Sequence, residues 1–163
     1  MTHAFLYRAL RSDEIEAGCV LISKTQGSFE AGPRLGIDTR LPFALGPTEE
    51  HAVRQHQWQQ NGFPTSGVST TPHLERARFY AAARGVIVEI DRRLFSMYGV
   101  RECVVNLILG EHPVDIAVPE DDEVILVRDE AGPFPKQLIV RVIFLDSSGG
   151  QVAIKQTFGA DET

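Results

Sequence analysis

The chain has 163 residues, of which 43% are hydrophobic, so it is long enough to fold as one domain around a single core without disulfides or a structural metal. Its net charge of −6 at pH 7 argues against a nucleic-acid-binding protein, because affinity for the phosphate backbone comes mainly from Lys and Arg. The charge does not exclude binding of a dinucleotide, which needs only one or two local cations. No apolar run reaches the length of a membrane span and no signal peptide is visible, so we expect the chain to act in a cytosol, its own or that of a target cell.

The N-terminal segment predicts a strand followed by a short helix. Residues 4–10 are rich in aromatic and aliphatic side chains, which is typical of a strand. Arg8 interrupts this run, and an arginine within a strand usually points to solvent. Ser12 is a suitable N-cap for a helix that ends at Gly18, and residues 19–23 predict a second short strand.

The next two segments predict a long loop and a surface helix. Residues 25–47 are irregular and hold several glycines and prolines, and a loop of this length in a compact domain is often functional or mobile. Residues 48–60 have acidic side chains in their first turn and are followed by an Asn-Gly pair, which predicts a helix. Its few apolar positions predict that this helix lies on the surface.

The centre of the chain carries three consecutive hydroxyl side chains at a strand end, which are Ser69, Thr70 and Thr71. Thr71 is a good N-cap, and the proline after it fits the first position of a helix over residues 73–84 that Gly85 would close. A strand end is where a β-rich domain presents polar groups to a ligand. A capped strand-to-helix turn without a ligand is the alternative interpretation of these residues alone.

The C-terminal half of the chain predicts mostly strands. They cover residues 86–91, 104–109 and 124–127, followed by a hairpin of residues 138–145 and 152–158. An acidic run at 120–123 usually forms a solvated loop, but Glu123 directly abuts the apolar run and should lie at the mouth of its strand. Strands outnumber helices and follow one another without regular crossovers, so we predict an α+β fold, with residues 1–158 as one domain and 159–163 as a flexible tail.

The candidate functional motifs are Tyr7-Arg8 in an early strand, Ser69-Thr70-Thr71 at a middle strand end and Glu123 before a late strand. This combination resembles the ADP-ribosyltransferase family in its arginine–serine–glutamate branch, which includes bacterial toxins and effectors. The neighbouring residues extend the likeness, since 7–18 are similar to the first family motif and its helix, 67–91 to the second, and 119–126 to the third. The likeness covers most of the chain and implies a fold of two small packed, antiparallel-rich sheets flanked by helices.

The resemblance implies NAD as the substrate and gives Glu123 the central catalytic role. Cleavage of the bond between nicotinamide and ribose releases a neutral molecule, so positive charge develops on the ribose, as in the transition states of glycosidases. A fixed carboxylate near that sugar stabilises the transition state more than the ground state. Ser69 would orient Glu123 and hold the edge of the ligand, and Asp121 would approach the acceptor nucleophile.

The same resemblance implies a set of residues that bind the dinucleotide. Arg8 would hold the pyrophosphate or the ribose through its planar donor fork, with Tyr7 beside it. Thr70 and Thr71 would fix the local turn. Tyr80 would stack on nicotinamide, and the alternative for this residue is a core aromatic on the helix. No metal site is expected, because the two cysteines have no metal-binding spacing.

The acceptor is the part of the function that the motifs leave open. Asp121 stands where arginine-modifying members usually have Glu or Gln, and it is shorter by one methylene. Transfer of ADP-ribose to a protein is the leading hypothesis, with NAD hydrolysis and a non-catalytic interaction protein on the same fold as alternatives. Transfer of RNA-linked phosphate on a related fold is disfavoured by the acidic chain. The family also implies a neutralising or immunity protein as a partner, whereas no nucleic-acid or membrane partner is expected.

Overall fold

The computed structural model describes residues 3–23, 67–81, 83–110, 116–128, 130, 132–148 and 150–156, with residues 151–156 described by their backbone alone. The predicted loop at 25–47, the predicted helix at 48–60 and the predicted tail at 159–163 lie outside these residues. Within the described part of the chain, none of the helices combines the length and the apolar composition that crossing a membrane requires.

Seven strands in the described part of the chain form two small antiparallel sheets. The strands are β1 (Phe5–Ala9), β2 (Val68–Thr70), β3 (Val86–Asp91), β4 (Val100–Val104), β5 (Val124–Arg128), β6 (Ile139–Leu145) and β7 (Gln151–Gln156). The larger sheet has the order β1-β3-β6-β7, and the smaller sheet has the order β2-β5-β4. This mixed α/β arrangement, in which helices are few, agrees with the predicted α+β class.

The helices are short and connect or cover the sheets. The α-helices are α1 (Ser12–Glu16), α2 (Leu74–Tyr80) and α3 (Val105–Ile108), and 3-10 turns occur at Arg92–Leu94, Ser96–Tyr98, Pro119–Asp121 and Lys136–Leu138. Helices this short are not stable alone, so packing against the sheets must hold them. Helix α2 does this through Ala77, which is buried against Ile87 and Ile143 of the larger sheet.

The main hydrophobic core is shared by the two sheets. The larger sheet contributes Leu6, Val88, Ile90 and Val142, and the smaller sheet contributes Val68, Val124 and Leu126. Each of these side chains is almost completely buried, and full burial of an aliphatic side chain stabilises the fold by about 1.5–3 kcal/mol. A second cluster packs α3 against the outer face of the smaller sheet, through Val105 and Ile125.

The edges of the two sheets meet at one pair of residues, Tyr7 and Thr71. The Tyr7 N–H donates to the Thr71 carbonyl at 2.7 Å, and the Thr71 N–H donates to the Tyr7 carbonyl at 3.0 Å. This isolated antiparallel bridge brings the edge strand β1 of one sheet against the edge strand β2 of the other. It therefore places the residue after Tyr7 beside the hydroxyl motif of β2.

The structure corrects the predicted start and end of the central helix. Thr71 is not its N-cap, because the backbone of Thr71 still pairs with β1; the N-cap is His73, and the helix begins at Leu74. The Thr71 hydroxyl instead accepts a hydrogen bond from the His73 N–H. The helix ends at Tyr80 rather than at residue 84, because Arg84 already donates its N–H to the end of β6, at the carbonyl of Asp146.

Two predicted strands are also corrected. The run 104–109 is mostly helix α3, and a short apolar run fits a strand and a helix equally well until a partner decides. Residues 19–23 form no strand: the Ile22 N–H donates to the carboxylate of Glu14 instead of to a neighbouring strand. Helix α1 starts with Arg11 rather than Ser12 as its N-cap, and the same carboxylate accepts the Arg11 N–H.

Candidate active site

Arg8 lies on the face of β1 that points into the core shared by the two sheets. Side chains alternate along a strand, so Arg8 shares its face with Leu6, which is fully buried. The Arg8 side chain is only 11% exposed, and its Nε and Nη2 donate to the carboxylate of Glu14 at 2.9–3.2 Å. The usual solvent-facing position of a strand arginine therefore does not apply here.

Glu14 is the buried counter-ion that fixes Arg8. Its side chain has no solvent exposure, and it accepts the backbone N–H groups of Arg11 and Ile22 at 3.0 Å in addition to the guanidinium. A buried carboxylate is tolerated when it is paired and fully hydrogen-bonded, and Glu14 satisfies both conditions. The sequence analysis assigned Glu14 no role in the site, because its pairing with Arg8 depends on how α1 packs beside β1.

A chain of hydrogen bonds links Arg8 to Ser69 and Ser69 to Glu123. Nη1 of Arg8 donates to the backbone carbonyl of Ser69 at 2.8 Å, across 61 positions of sequence. The hydroxyl of Ser69 donates to Oε1 of Glu123 at 2.7 Å, across 54 positions. The structure thus brings together the three residues that the sequence analysis placed in one site.

The register of the smaller sheet explains why Ser69 reaches Glu123. Ser69 pairs with Ile125 of β5, so Glu123, two residues before Ile125, is its diagonal neighbour on the same face of the sheet. Glu123 is partly buried at the entry to β5, and its carbonyl accepts the N–H of Val105 at the start of α3. Its backbone and its side chain are therefore both held from neighbouring elements.

Thr70 and Thr71 tie strand β2 to the segment that carries the acidic residues. The Thr70 hydroxyl donates to the Val124 carbonyl at 2.6 Å, and the Thr71 hydroxyl donates to the Asp121 carbonyl at 2.6 Å. Both side chains are buried. Their hydroxyls therefore hold the backbone just before β5 and at its first residue.

Asp121 is bound by two side chains of helix α2. Nε of Arg76 donates to Oδ1 of Asp121 at 2.6 Å, and the hydroxyl of Tyr80 donates to Oδ2. The hydrogen bond with Asp121 raises the pKa of Arg76, and burial together with the hydrogen bond to Asp121 raises the pKa of Tyr80. Tyr80 is 51% exposed, so it is not the core aromatic of the alternative interpretation.

The residue between the two candidate catalytic carboxylates has its own partners. Asp122 adopts a left-handed backbone conformation with a φ of 47°, and its carboxylate contacts Nε2 of His73 at 2.6 Å and Nδ2 of Asn106 at 2.8 Å. Asn106 also donates to the Pro119 carbonyl at 3.3 Å. Asp121 is therefore held by α2, Asp122 by the N-cap of α2 and by α3, and Glu123 by β2.

The ring of Tyr7 lies on the opposite face of β1 from Arg8. It packs against helix α2 with Ala77, and burial together with the carboxylate of the cross-strand neighbour Glu89 raises its pKa. Tyr7 reaches the site only through its backbone bridge to Thr71. The structure therefore places the ring of Tyr7 on the other side of β1 from Arg8, although its backbone pairs with Thr71.

Four side chains that position the site were not predicted from the sequence. They are Glu14, His73, Arg76 and Asn106. Arg76 and Tyr80 are four residues apart and so share one side of a helix, which was the available signal that they could bind one group together. The other three contact residues from separate elements, and spacing in the sequence gave no sign of those pairs.

Comparison with known proteins adds no assignment to this geometry. No protein-family model matches the chain, and no curated protein matches it at a significant level. The function must therefore be argued from the arrangement of Arg8, Ser69 and Glu123 and from the chemistry that such an arrangement can perform.

Proposed function

We propose that the chain is an NAD-dependent ADP-ribosyltransferase of the toxin or effector type, which cleaves the nicotinamide–ribose bond and transfers ADP-ribose to a protein acceptor. One observation carries the proposal: the hydrogen-bonded chain from Arg8 through Ser69 to Glu123. It joins a cation from β1, a hydroxyl from β2 and a carboxylate directly before β5, near the place where the two sheets meet. An ADP-ribosyltransferase-like fold is part of this proposal, and the two antiparallel sheets with a shared core are compatible with it.

Glu123 would supply the electrostatic stabilisation. When the bond between C1′ of the ribose and nicotinamide breaks, positive charge develops on the sugar, and a preorganised carboxylate stabilises that charge without reorganising. The Ser69 hydroxyl at 2.7 Å fixes the orientation of Glu123 before the substrate binds. The carboxylate therefore does not have to find its position during the reaction.

Arg8 would bind the anionic part of the dinucleotide. Its guanidinium is held by Glu14 on one side and by the Ser69 carbonyl on the other, so its donor fork points in one direction. Fixing the fork in advance lowers the entropy that must be lost when a phosphate or ribose oxygen binds. Glu14 offsets the charge of Arg8, so positioning rather than net charge would be its main contribution.

NAD hydrolysis is the second candidate, and a specific contact favours it. Asp121, which was expected to approach the acceptor, is already engaged by Arg76 and Tyr80. If these contacts persist when NAD is bound, water could compete with a protein side chain as the acceptor. The cleavage step at Glu123 is the same in both candidates.

Nicotinamide release from NAD tests the cleavage step. We expect the purified chain to release nicotinamide and Glu123→Gln to be slower by about 10²–10³-fold, because the variant loses the charge but keeps the shape. Glu120→Gln is the matched control, since it makes the same change at an exposed position of the same segment. Full activity in Glu123→Gln would contradict the proposal, as would equal losses in both variants.

Incubation of a cell lysate with labelled NAD separates the candidates. A labelled protein band that depends on Glu123 supports transfer to a protein, and free ADP-ribose alone supports hydrolysis. Release of neither product supports a non-catalytic interaction protein and contradicts both enzymatic candidates.

A further inference from the structure

Asp121 and three residues of helix α2 form a closed unit beside Glu123, which we call the Asp121 lock and define as Arg76, Phe79, Tyr80 and Asp121. Arg76 binds one carboxylate oxygen of Asp121 and Tyr80 binds the other. The guanidinium of Arg76 also lies 4.6 Å from the ring centroid of Phe79, in cation–π geometry. The three helix residues lie at i, i+3 and i+4, so one face of α2 carries them all.

The lock occupies the two features of Asp121 that a cationic acceptor would bind, which are its two carboxylate oxygens and its negative charge. A guanidinium binds a carboxylate most strongly in bidentate form, through both oxygens, and both oxygens of Asp121 are engaged. The charge of Arg76 offsets that of Asp121 and repels a second cation at the same place. The two side chains are 22% and 13% exposed, so this pair is screened less by water than a fully exposed pair.

Hydrogen bonds of the Asp121 backbone keep this residue next to Arg76 and Tyr80. Its carbonyl accepts the Thr71 hydroxyl at 2.6 Å, and its N–H donates to the Val118 carbonyl at 3.2 Å. The residue is therefore held at its backbone by β2 and by its own 3-10 turn, and at its side chain by α2. An acceptor would have to displace Arg76 rather than wait for Asp121 to move.

We propose that Arg76, with Tyr80, is a specificity-determining residue that closes Asp121 to cationic acceptors, so that the site uses a neutral oxygen nucleophile, either water or a hydroxyl group, rather than a guanidinium. This inference rests on the proposed function for the identity of the donor, NAD. It adds the chemical class of the acceptor, and it names the residue whose removal changes that class.

The transfer step balances with a neutral nucleophile. A lone pair of the acceptor oxygen forms a bond to C1′ of the ribose, and the bond from C1′ to the nicotinamide nitrogen breaks with both electrons going to nicotinamide. The acceptor hydroxyl then loses its proton to solvent. NAD and an alcohol or water thus give neutral nicotinamide, an ADP-ribosyl product and one proton.

Agmatine, a small molecule with a guanidinium group, tests the lock without requiring catalysis. We expect Arg76→Gln to bind agmatine at least about tenfold more tightly than the unaltered chain, because the carboxylate of Asp121 is then exposed and unpaired with a cation. Binding is followed by NMR shifts of the backbone amides at residues 120–123. The double variant Arg76→Gln/Asp121→Asn is expected to lose this binding.

Arg78→Gln is the matched control, because Arg78 lies exposed on the same helix and the charge change is identical. It is expected to bind agmatine as poorly as the unaltered chain. Tyr80→Phe, which frees one carboxylate oxygen but keeps Arg76, is expected to give an intermediate gain. The same NMR spectra report whether each variant is folded.

Equal agmatine binding by the unaltered chain and Arg76→Gln would overturn the lock, and so would binding that survives the loss of the Asp121 charge. The product analysis is run in parallel with NAD and agmatine present. Here ADP-ribosyl-agmatine is expected from Arg76→Gln and ADP-ribose from the unaltered chain, and the same agmatine adduct from both would overturn the inference. A lack of nicotinamide release from every chain would overturn the proposed function instead, while the binding titration still decides the lock.

Discussion

The two ion pairs of the site, Arg8–Glu14 and Arg76–Asp121, differ in how deeply they lie in the fold. Glu14 has no exposure and Arg8 is 11% exposed, and backbone N–H groups complete the hydrogen bonding of this pair. Arg76 and Asp121 are 22% and 13% exposed, and exposed aromatic side chains of α2 surround them. The first pair contains a completely buried carboxylate, whereas both side chains of the second pair keep some solvent exposure.

This difference distinguishes the residues that stabilise the folded site from those that determine its specificity for an acceptor. Removal of a partner from the buried pair leaves an uncompensated charge in the core, so its cost falls on folding. Both side chains of the outer pair keep some solvent exposure, so the charge left when one partner is removed is partly solvated and its cost to folding is smaller. We therefore expect substitutions at Glu14 to affect stability and substitutions at Arg76 to affect specificity.

The largest expected effect is on the buried pair. Glu14→Gln should lower the free energy of unfolding by about 3–5 kcal/mol, because it leaves the guanidinium of Arg8 buried without its counter-ion. Urea denaturation measures this change. Asp13→Asn is the control, since Asp13 is an exposed neighbour on the same helix and its substitution is expected to change the free energy of unfolding much less. Similar losses in the two variants would show that the core and surface positions are not distinct.

The second effect concerns the hydroxyl that connects the two halves of the site. Ser69→Ala removes the hydrogen bond to Glu123 and should lower kcat by about tenfold to a hundredfold, equivalent to the roughly 1.5–3 kcal/mol of a hydrogen bond to a charged group. KM should change little, because the hydroxyl acts through Glu123. Ser69→Thr restores the hydroxyl and should recover most of the rate. A rate unchanged in Ser69→Ala would mean that Glu123 needs no orientation.

The smallest effect is a shift in titration at the surface of the site. Burial and the hydrogen bond to Asp121 raise the pKa of Tyr80. The folded-state pKa then lies above the unfolded value of about 10, so the stability contribution of Tyr80 is complete below pH 10 and is lost as the pH rises through the folded-state pKa.

Asp121→Asn should move the pKa of Tyr80 part of the way back, because burial remains while the carboxylate charge is gone. Ultraviolet titration of tyrosinate measures the shift, and subtraction of the Tyr80→Phe curve assigns it to Tyr80. The raised pKa of Tyr7 depends on burial and on Glu89, so it should not move. A tyrosine titration that is identical with and without the Asp121 charge would contradict the contact.

The parts of the fold that could be predicted from sequence are those where local pattern and tertiary partner agree. The strand at Val86–Asp91 starts with three apolar residues and then alternates, the one at Val124–Arg128 starts with four apolar residues, and both were predicted within a residue of their ends. The run that became α3 has the same composition. In the folded chain, the Val105 N–H at the start of this helix donates to the Glu123 carbonyl and the Val105 side chain packs with Ile125, and both are tertiary contacts that the sequence pattern does not reveal.

The residues of the site also divide into those that a local sequence pattern indicates and those that depend on tertiary contacts. Ser69 and Glu123 could be singled out because each is a polar residue next to an apolar one, Ser69 within β2 and Glu123 directly before β5. Arg76 and Glu14 could not, because their importance comes from partners that only the folded chain brings near. An arginine on a short helix and a glutamate in a first turn look in sequence like ordinary solvated residues.

The order in which the chain visits the two sheets has a consequence for how the protein can be divided. Among the described strands, β1 lies in the larger sheet, β2 in the smaller one, β3 in the larger, β4 and β5 in the smaller, and β6 and β7 in the larger. Neither sheet is therefore encoded by a contiguous segment, and no single cut separates them into two halves that could each be expressed alone. During synthesis, the smaller sheet lacks its central strand until β5 has emerged from the ribosome. The core around Arg8 is therefore incomplete until more than a hundred further residues have been synthesised.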